Sequence, residues 1–252
     1  MFISDYDHEM WYGDTKQASE MKEEQLAKKL HSKLTFLNIR NSNVGHCGHN
    51  FKEIEKQSEP KPWPTILSFM TQSTLDLNMK KCGLTSKADM ETFAYILGDN
   101  PKGACKLRSL SLSLNPIRKE GAKILAPAIA LNKSLQCLNL SSCKLGVSGV
   151  TRIAVALQDN SSIKMLNLYH NICDVDGARA IAETLKVNST LEFLDIGHNR
   201  VRLTGLKAIT QGILANPNSK LAKLGLRSNF INDEGISDLF DQLVFPKEGR
   251  KQ

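Results

Sequence analysis

A leucine pattern that recurs about every 28 residues constrains the fold of this chain more than any other sequence feature. Five segments fit [L/I]-x-x-L-x-[L/I]-x-x-[N/C]-x-[apolar], and they begin at residues 107, 135, 163, 191 and 221. Two weaker copies begin at Thr74 and Leu34. A fixed period of this length is typical of a solenoid, because one short unit cannot bury its apolar face alone. We number the seven copies in chain order and the eleven pattern positions as slots 1 to 11.

A second periodic signal follows each copy and indicates a helix. Six residues after slot 9 comes a small residue, which is glycine in six copies and Ala88 in the other. In the five strong copies, apolar residues follow four and eight positions later, as in Leu125 and Ile129. An apolar pair at i and i+4 marks one face of a helix. Each unit therefore predicts a short strand, a turn and an amphipathic helix, and the chain predicts an α/β solenoid.

The pattern resembles the leucine-rich repeats of the ribonuclease-inhibitor subfamily, whose repeat of about 28 residues carries a full helix. The resemblance covers residues 107–243 strongly and residues 34–106 weakly. It implies a horseshoe with parallel strands on the concave face and helices on the convex face. It does not select a function, because the subfamily includes ribonuclease inhibitor, the Ran GTPase-activating protein, NOD-like receptors, tropomodulins and axonemal regulatory subunits.

The less regular parts of the sequence predict three regions. Residues 1–33 are expected to form a tail and a capping helix, with a partner-binding amphipathic helix as the alternative. Residues 34–244 hold about seven repeats, the first two degenerate and with insertions, one of which contains three prolines in residues 52–65. Residues 245–252 form a basic tail. No distinct polar repeat that would cap the carboxyl end is visible.

Composition and the first residues predict a cytoplasmic protein. The formal net charge is +7, and hydrophobic residues make up 41% of the chain, which is ordinary globular usage. The first 14 residues carry four acids and no Lys or Arg, unlike a secretory or mitochondrial leader. No stretch approaches the ~20 apolar residues of a membrane helix. We interpret the six cysteines as reduced thiols, three of them in slots that are normally buried.

Sequence patterns of catalysis and cofactor binding are absent. The chain contains no phosphate-binding loop, dinucleotide fingerprint, zinc-protease motif or nucleophile elbow. His46, Cys47 and His49 are too closely spaced for a usual zinc site. The segments that leave the strands differ from the Asn-Asn-Gly-Leu-Gly-Pro type found in the Ran GTPase-activating protein. We therefore predict no catalytic residue, no cofactor and no metal site.

The concave face is the predicted partner-binding surface. Slots 3, 5 and 7 project away from the helices by the period-2 rule, and slot 8 follows them. Copies five and six bring an aromatic and methionine cluster together beside charged side chains, which is the composition of an interface hot spot. The alternative is that these side chains only pack on their neighbours along the face. The predicted partner-binding residues are Met165, Tyr169, His170, Phe193, Asp195, His198 and Arg227. The slot-5 asparagines are expected to hydrogen-bond along adjacent strands.

The functional prediction is a non-catalytic scaffold or adaptor, a subunit of an intracellular complex of cytoskeletal or ciliary type. The partners are one or more proteins, and the positive net charge favours an acidic partner surface. A regulator of a small GTPase and a nucleic-acid-associated module are the alternatives. Nucleic acid is disfavoured because the basic residues are scattered and no aromatic-interleaved basic strands appear.

Overall fold

The computed structural model describes residues 36–38, 76–85, 87–98, 107–232 and 237. This part of the chain contains seven strands of three residues and five helices. The strands are β1 (Phe36–Asn38), β2 (Asp76–Asn78), β3 (Ser109–Ser111), β4 (Cys137–Asn139), β5 (Met165–Asn167), β6 (Phe193–Asp195) and β7 (Lys223–Gly225). The helices are α1 (Lys87–Leu97), α2 (Arg118–Leu131), α3 (Gly146–Asp159), α4 (Asp174–Leu185) and α5 (Arg202–Leu214).

The strands form one parallel sheet in chain order, from β1 to β7. The register is the same at every pair, so that slot 3 aligns with slot 3 and slot 5 with slot 5. Consecutive helices pack side by side along the other layer. These observations confirm the predicted α/β leucine-rich-repeat solenoid.

The core lies between the sheet and the helices, where the pattern predicts it. The slot-4 leucines of β3 to β6 and the helix pairs such as Leu125 and Ile129 are buried. The small residue near each helix start lets that helix approach the preceding one. A Cβ atom on Gly149 would lie 2.9 Å from the Cβ of Leu145 and 3.4 Å from the Cβ of Ala122. A larger side chain there would separate α3 from α2.

Slot-9 asparagines tie each repeat to the preceding one. The Oδ1 atom of Asn171 accepts hydrogen bonds from the backbone N–H groups of Cys143 (3.0 Å) and Leu145 (3.3 Å). Its Nδ2 atom donates to the carbonyl oxygens of Leu140 (2.8 Å) and Leu168 (3.0 Å). This side chain therefore satisfies turn groups that would otherwise be buried without a partner. The other slot-9 asparagines that bind a preceding repeat in this way are Asn115, Asn199 and Asn229.

A second set of asparagines joins the repeats where each helix returns to the next strand. Asn160 donates through Nδ2 to the carbonyl oxygens of Ile129 (2.7 Å) and Asn132 (2.9 Å). Its Oδ1 atom accepts from the N–H groups of Ser162 (2.9 Å) and Ile163 (2.8 Å). Both edges of the solenoid are thus held by side-chain amides. Equivalent positions are occupied by Asn132, Asn188 and Asn216.

Several predictions fall on residues outside the described ranges. They are the capping helix and tail in residues 1–33, the His-Cys-Gly-His segment at 46–49, the proline-containing insertion and the basic tail at 245–252. The three-region division of the chain therefore stays a prediction. Among the described helices, none has the length and apolar character needed to cross a membrane.

Candidate protein-interaction site

The concave face divides into two zones with different side chains. In β3 and β4 and the residues that follow them, slots 3, 5 and 7 hold Ser, Cys and Asn. In β5 to β7 and the residues that follow them, most of the same slots hold larger or charged residues, among them Met165, Tyr169 and Arg227, and two hold glycine. We call the first the small zone (copies three and four) and the second the large zone (copies five to seven).

Tyr169 is the centre of the large zone. The guanidinium carbon of Arg227 lies 4.6 Å from the centroid of its ring, which is a cation–π distance. The His198 ring meets Tyr169 edge-on, with centroids 5.9 Å apart and planes at 78°. The His170 ring lies 6.1 Å away on the same strand exit. Tyr169 is half-buried, so one part of its ring remains available to a partner.

His170 and His198 lie side by side at slot 8 of neighbouring repeats. Their ring centroids are 4.5 Å apart, and both side chains are exposed. The backbone fixes this placement, because the N–H of His170 donates to the carbonyl of Gly197 at 2.9 Å and that of His198 donates to the carbonyl of Arg227 at 2.8 Å. The pair therefore forms a polar margin beside Tyr169.

Gly197 allows Tyr169 and Arg227 to meet. A Cβ atom on this residue would lie 2.8 Å from Cδ2 of Tyr169 and 3.1 Å from Cγ of Arg227. Both contacts are closer than ordinary van der Waals separation. The absence of a side chain at slot 7 of copy six is thus what lets the flanking slot-7 residues close over β6.

Asp195 is a buried carboxylate beneath this cluster, with 9% of its surface exposed. Its Oδ1 atom accepts a hydrogen bond from the N–H of Gly197 at 2.8 Å. Burial raises the pKa of Asp195, while the Gly197 hydrogen bond and the charge of Arg227 act in the opposite direction. Gly225 makes room for the carboxylate, because a Cβ there would lie 2.6 Å from Oδ1.

The seven predicted partner-binding residues lie on β5, β6 and the segments that follow β5, β6 and β7, at different depths. His170, His198 and Arg227 are exposed, and Met165 and Tyr169 are half-buried. Phe193 is buried, with only 6% of its surface exposed, and Asp195 is buried as well. We place these two residues below the surface that a partner would touch.

The prediction for the slot-5 asparagines is wrong for the three whose side chains the structure describes. Asn78, Asn139 and Asn167 do not bridge strands through their side-chain oxygens, which accept from the N–H two residues later in the same strand exit. An Asx side chain reaches this N–H readily where a strand ends. The Nδ2 atom of Asn139 is buried without a hydrogen-bond partner.

Two findings concern metal binding and thiol reactivity among the described residues. No group of three His, Cys, Asp or Glu residues among them could hold a metal ion. Burial raises the pKa of the thiols of Cys143 and Cys173 to about 12, so both stay protonated at neutral pH. A protonated buried thiol is a poor nucleophile.

Sequence reasoning missed the exposed apolar residues that follow the strands. Leu114 at slot 8 and Ile172 and Phe230 at slot 10 point outward. These slots are variable in the repeat pattern, so periodicity alone assigns them nothing. The available signal was an apolar residue in a slot that the core does not use.

Comparisons with known proteins identify the repeats. The family model described as "Leucine Rich repeat" matches residues 103–126, 131–154 and 187–209. A search of curated proteins finds no significant match.

Two solved structures share the architecture. One is the C-terminal domain of tropomodulin from Caenorhabditis elegans, at 14% identity and a TM-score of 0.50, covering 62% of this chain and 92% of that one. The other is the leiomodin-1 fragment named actin-binding site 2, at 19% identity and a TM-score of 0.50, covering 62% and 91%. At such identities the likeness shows the fold alone.

Proposed function

We propose that this leucine-rich-repeat chain is a non-catalytic scaffold or adaptor that binds a protein partner through the large zone of its concave face. It acts in the cytoplasm as a subunit of a cytoskeletal complex. The repeat spacing of 28 residues supports placing it with the ribonuclease-inhibitor-like repeats.

The observation that carries this proposal is the preassembled cluster around Tyr169. Tyrosine and arginine are enriched in interface hot spots, and here Arg227 is already stacked on the Tyr169 ring. The cluster is held on a parallel sheet whose turns are fixed by buried asparagines, so docking would order few side chains. Preorganisation of this kind lowers the entropy cost of binding.

The side chains divide into anchors, polar contacts and support. Tyr169 and Met165 offer partly exposed apolar surface for anchoring. Arg227, His170 and His198 are exposed and can form hydrogen bonds at the margin. Phe193 and Asp195 support this surface from below because both are buried.

Actin is the first partner to test, because the leiomodin-1 fragment with this architecture is named as an actin-binding site. The full chain would be titrated against monomeric actin and sedimented with filaments. We expect Tyr169→Ala combined with Arg227→Ala to weaken binding at least about tenfold, as removal of two hot-spot side chains does. Ser113→Ala in the small zone is the matched control, since it changes a slot-7 residue and leaves the cluster intact.

The outcomes separate the partner from the site. If the chain binds neither monomeric actin nor actin filaments, actin is rejected as the partner. Stoichiometric partners would also be recovered from lysate. If such a partner binds the double variant and wild type with affinities within about twofold of each other, the large zone is rejected as the site. Acceleration of GTP hydrolysis by a small GTPase would replace the scaffold assignment with the regulatory alternative.

A further inference from the structure

The segments that leave the strands stack into one continuous strip along an edge of the sheet. The slot-8 N–H of each repeat donates to the slot-7 carbonyl of the next, as from Leu114 to Ser141 (2.9 Å) and from Ser142 to Tyr169 (2.8 Å). The slot-12 N–H likewise donates to the next slot-9 carbonyl, as from Arg202 to Asn229 (2.9 Å). We call slots 8 to 12 of copies two to seven the exit strip.

The exit strip is basic. Among its residues, five Lys or Arg side chains accompany one acid, Asp174, whose Oδ1 atom accepts from the backbone N–H of Val175 at 2.8 Å. The five basic side chains are all exposed, and none forms an ion pair within the described part of the chain. They are Lys81, Arg118, Lys144, Arg200 and Arg202. The strip therefore carries unneutralised positive charge over several repeats.

Exposed apolar side chains lie among these charges. Leu114, Ile172 and Phe230 are 44%, 45% and 77% exposed. Their φ angles are 59°, 58° and 57°, in the left-handed region that disfavours residues with a side chain. Ile172 is the sharpest case because it is β-branched. Copy two has Gly83 at the same slot, so the fold accepts glycine there.

Folding alone does not explain these residues. An apolar side chain that stays in solvent gains little from burial, and its backbone conformation is unfavourable. Positive φ recurs at slots 8, 10 and 12 of the described repeats, as at Ser142, Lys144 and Arg202, so the backbone conformation belongs to the repeat. What the fold does not require is a large apolar side chain at these exposed slots. Apolar side chains beside unpaired cations are suited to a ligand that has both negative charge and apolar groups.

We propose that the exit strip is a second binding surface, which takes an acidic protein segment carrying apolar side chains. The basic side chains would attract its carboxylates, and Leu114, Ile172 and Phe230 would contact its apolar residues. A protein segment fits better than nucleic acid, because two of the three exposed apolar side chains are aliphatic and offer no stacking platform for bases. This surface adjoins the cluster around Tyr169 through His170 and His198 at slot 8. The side chains proposed to bind the segment do not include Tyr169 or Arg227.

The test begins with a random library of peptides of about 12 residues displayed on phage and selected on the full chain. We expect enriched peptides to combine Asp or Glu with Leu, Ile or Phe. Arg200→Glu with Arg202→Glu should weaken the labelled peptides at least about tenfold in fluorescence anisotropy. The matched control is Arg152→Glu with Lys207→Glu, which changes the net charge equally on exposed positions of α3 and α5.

A second variant separates binding from folding. Ile172→Asn replaces a β-branched residue with one that tolerates positive φ. We expect its thermal midpoint to equal or exceed that of wild type while peptide affinity falls about threefold or more. A purely structural Ile172 would give a lower midpoint and an unchanged affinity, which would overturn its role in binding.

Two further results would reject the proposal. One is that the exit-strip double variant and the control double variant weaken the affinity of every enriched peptide equally, since net charge alone would then explain binding. The other is that an oligothymidine of about 20 nucleotides binds more tightly than any peptide, and that Arg200→Glu with Arg202→Glu abolishes this binding. Tyr169→Ala with Arg227→Ala should leave the exit-strip peptides within about twofold of wild type, which distinguishes this surface from the concave site.

Discussion

The small zone and the large zone share one framework and differ on the surface. Leu138 in β4 and Leu166 in β5 are buried in the same register, and both strands end with an asparagine that accepts from the N–H two residues on. Yet slot 7 is a buried serine, Ser141, in one zone and the half-buried Tyr169 in the other. Since Ser and Cys are sufficient for folding in the small zone, the bulk and charge of the large zone require another explanation.

The largest effect is expected where the two zones are tied together. Asn171→Ala removes hydrogen bonds to two N–H groups and three carbonyls, and should lower the free energy of unfolding by about 3 kcal/mol in urea titrations. Asn171→Cys should cost less, because Cys143 at this slot in copy four donates its Sγ hydrogen to the carbonyl of Leu112 at 3.3 Å. An alanine cost below about 1 kcal/mol would show that the ladder is not the common framework.

A smaller loss of stability is expected at Gly197, the slot-7 glycine of the large zone. Gly197→Ala forces Tyr169 and Arg227 apart, and should lower the free energy of unfolding by about 2 kcal/mol and weaken partner binding. Ser141→Ala changes the same slot in the small zone, where alanine is no larger than serine, and should cost under about 1 kcal/mol. Equal losses in thermal or urea unfolding would mean that slot 7 serves the same purpose in both zones.

The framework could be predicted from the sequence because its signals repeat. Leucine periodicity, the slot-9 Asn or Cys and the small residue at the helix start occur in copy after copy, and each has one geometric explanation. The asparagines at 132, 160, 188 and 216 recur at a spacing of 28 and could have been recognised as a second ladder. Their recurrence at a fixed offset is the same kind of signal as that of slot 9.

The surface could be predicted only in part because its residues are singular. Alternation identifies which side chains leave the sheet, but it does not give their depth, so it does not separate the buried Phe193 from the exposed residues. The slot-5 oxygens bind within their own strand exit, a short-range competition that periodicity does not detect. The exposure of Ile172 and its φ of 58° are properties of the folded backbone, which the sequence pattern does not encode.

The smallest change in stability is expected at slot 5, where the small zone has an amide and the large zone has a carboxylate. Asn139 and Asp195 occupy slot 5 in copies four and six, and both Oδ1 atoms accept from the N–H two residues later. Asp195→Asn keeps that acceptor and removes a buried charge. We expect the free energy of unfolding at neutral pH to rise by on the order of 1 kcal/mol or less.

The difference in unfolding free energy between wild type and Asp195→Asn should depend on pH in a defined direction. Because burial raises the pKa of Asp195 in the folded chain, the folded state binds the proton more tightly than the unfolded state. Wild type therefore loses stability relative to Asp195→Asn as the pH rises from the ordinary aspartate range through the raised pKa, and the two converge at lower pH. Urea titrations across this range measure the difference.

Asn139→Asp should show the opposite change, with its loss of stability largest at neutral pH. If Asp195→Asn instead lowered stability at neutral pH, the carboxylate would be stabilising the fold through Arg227, and the framework of the large zone would differ from that of the small zone.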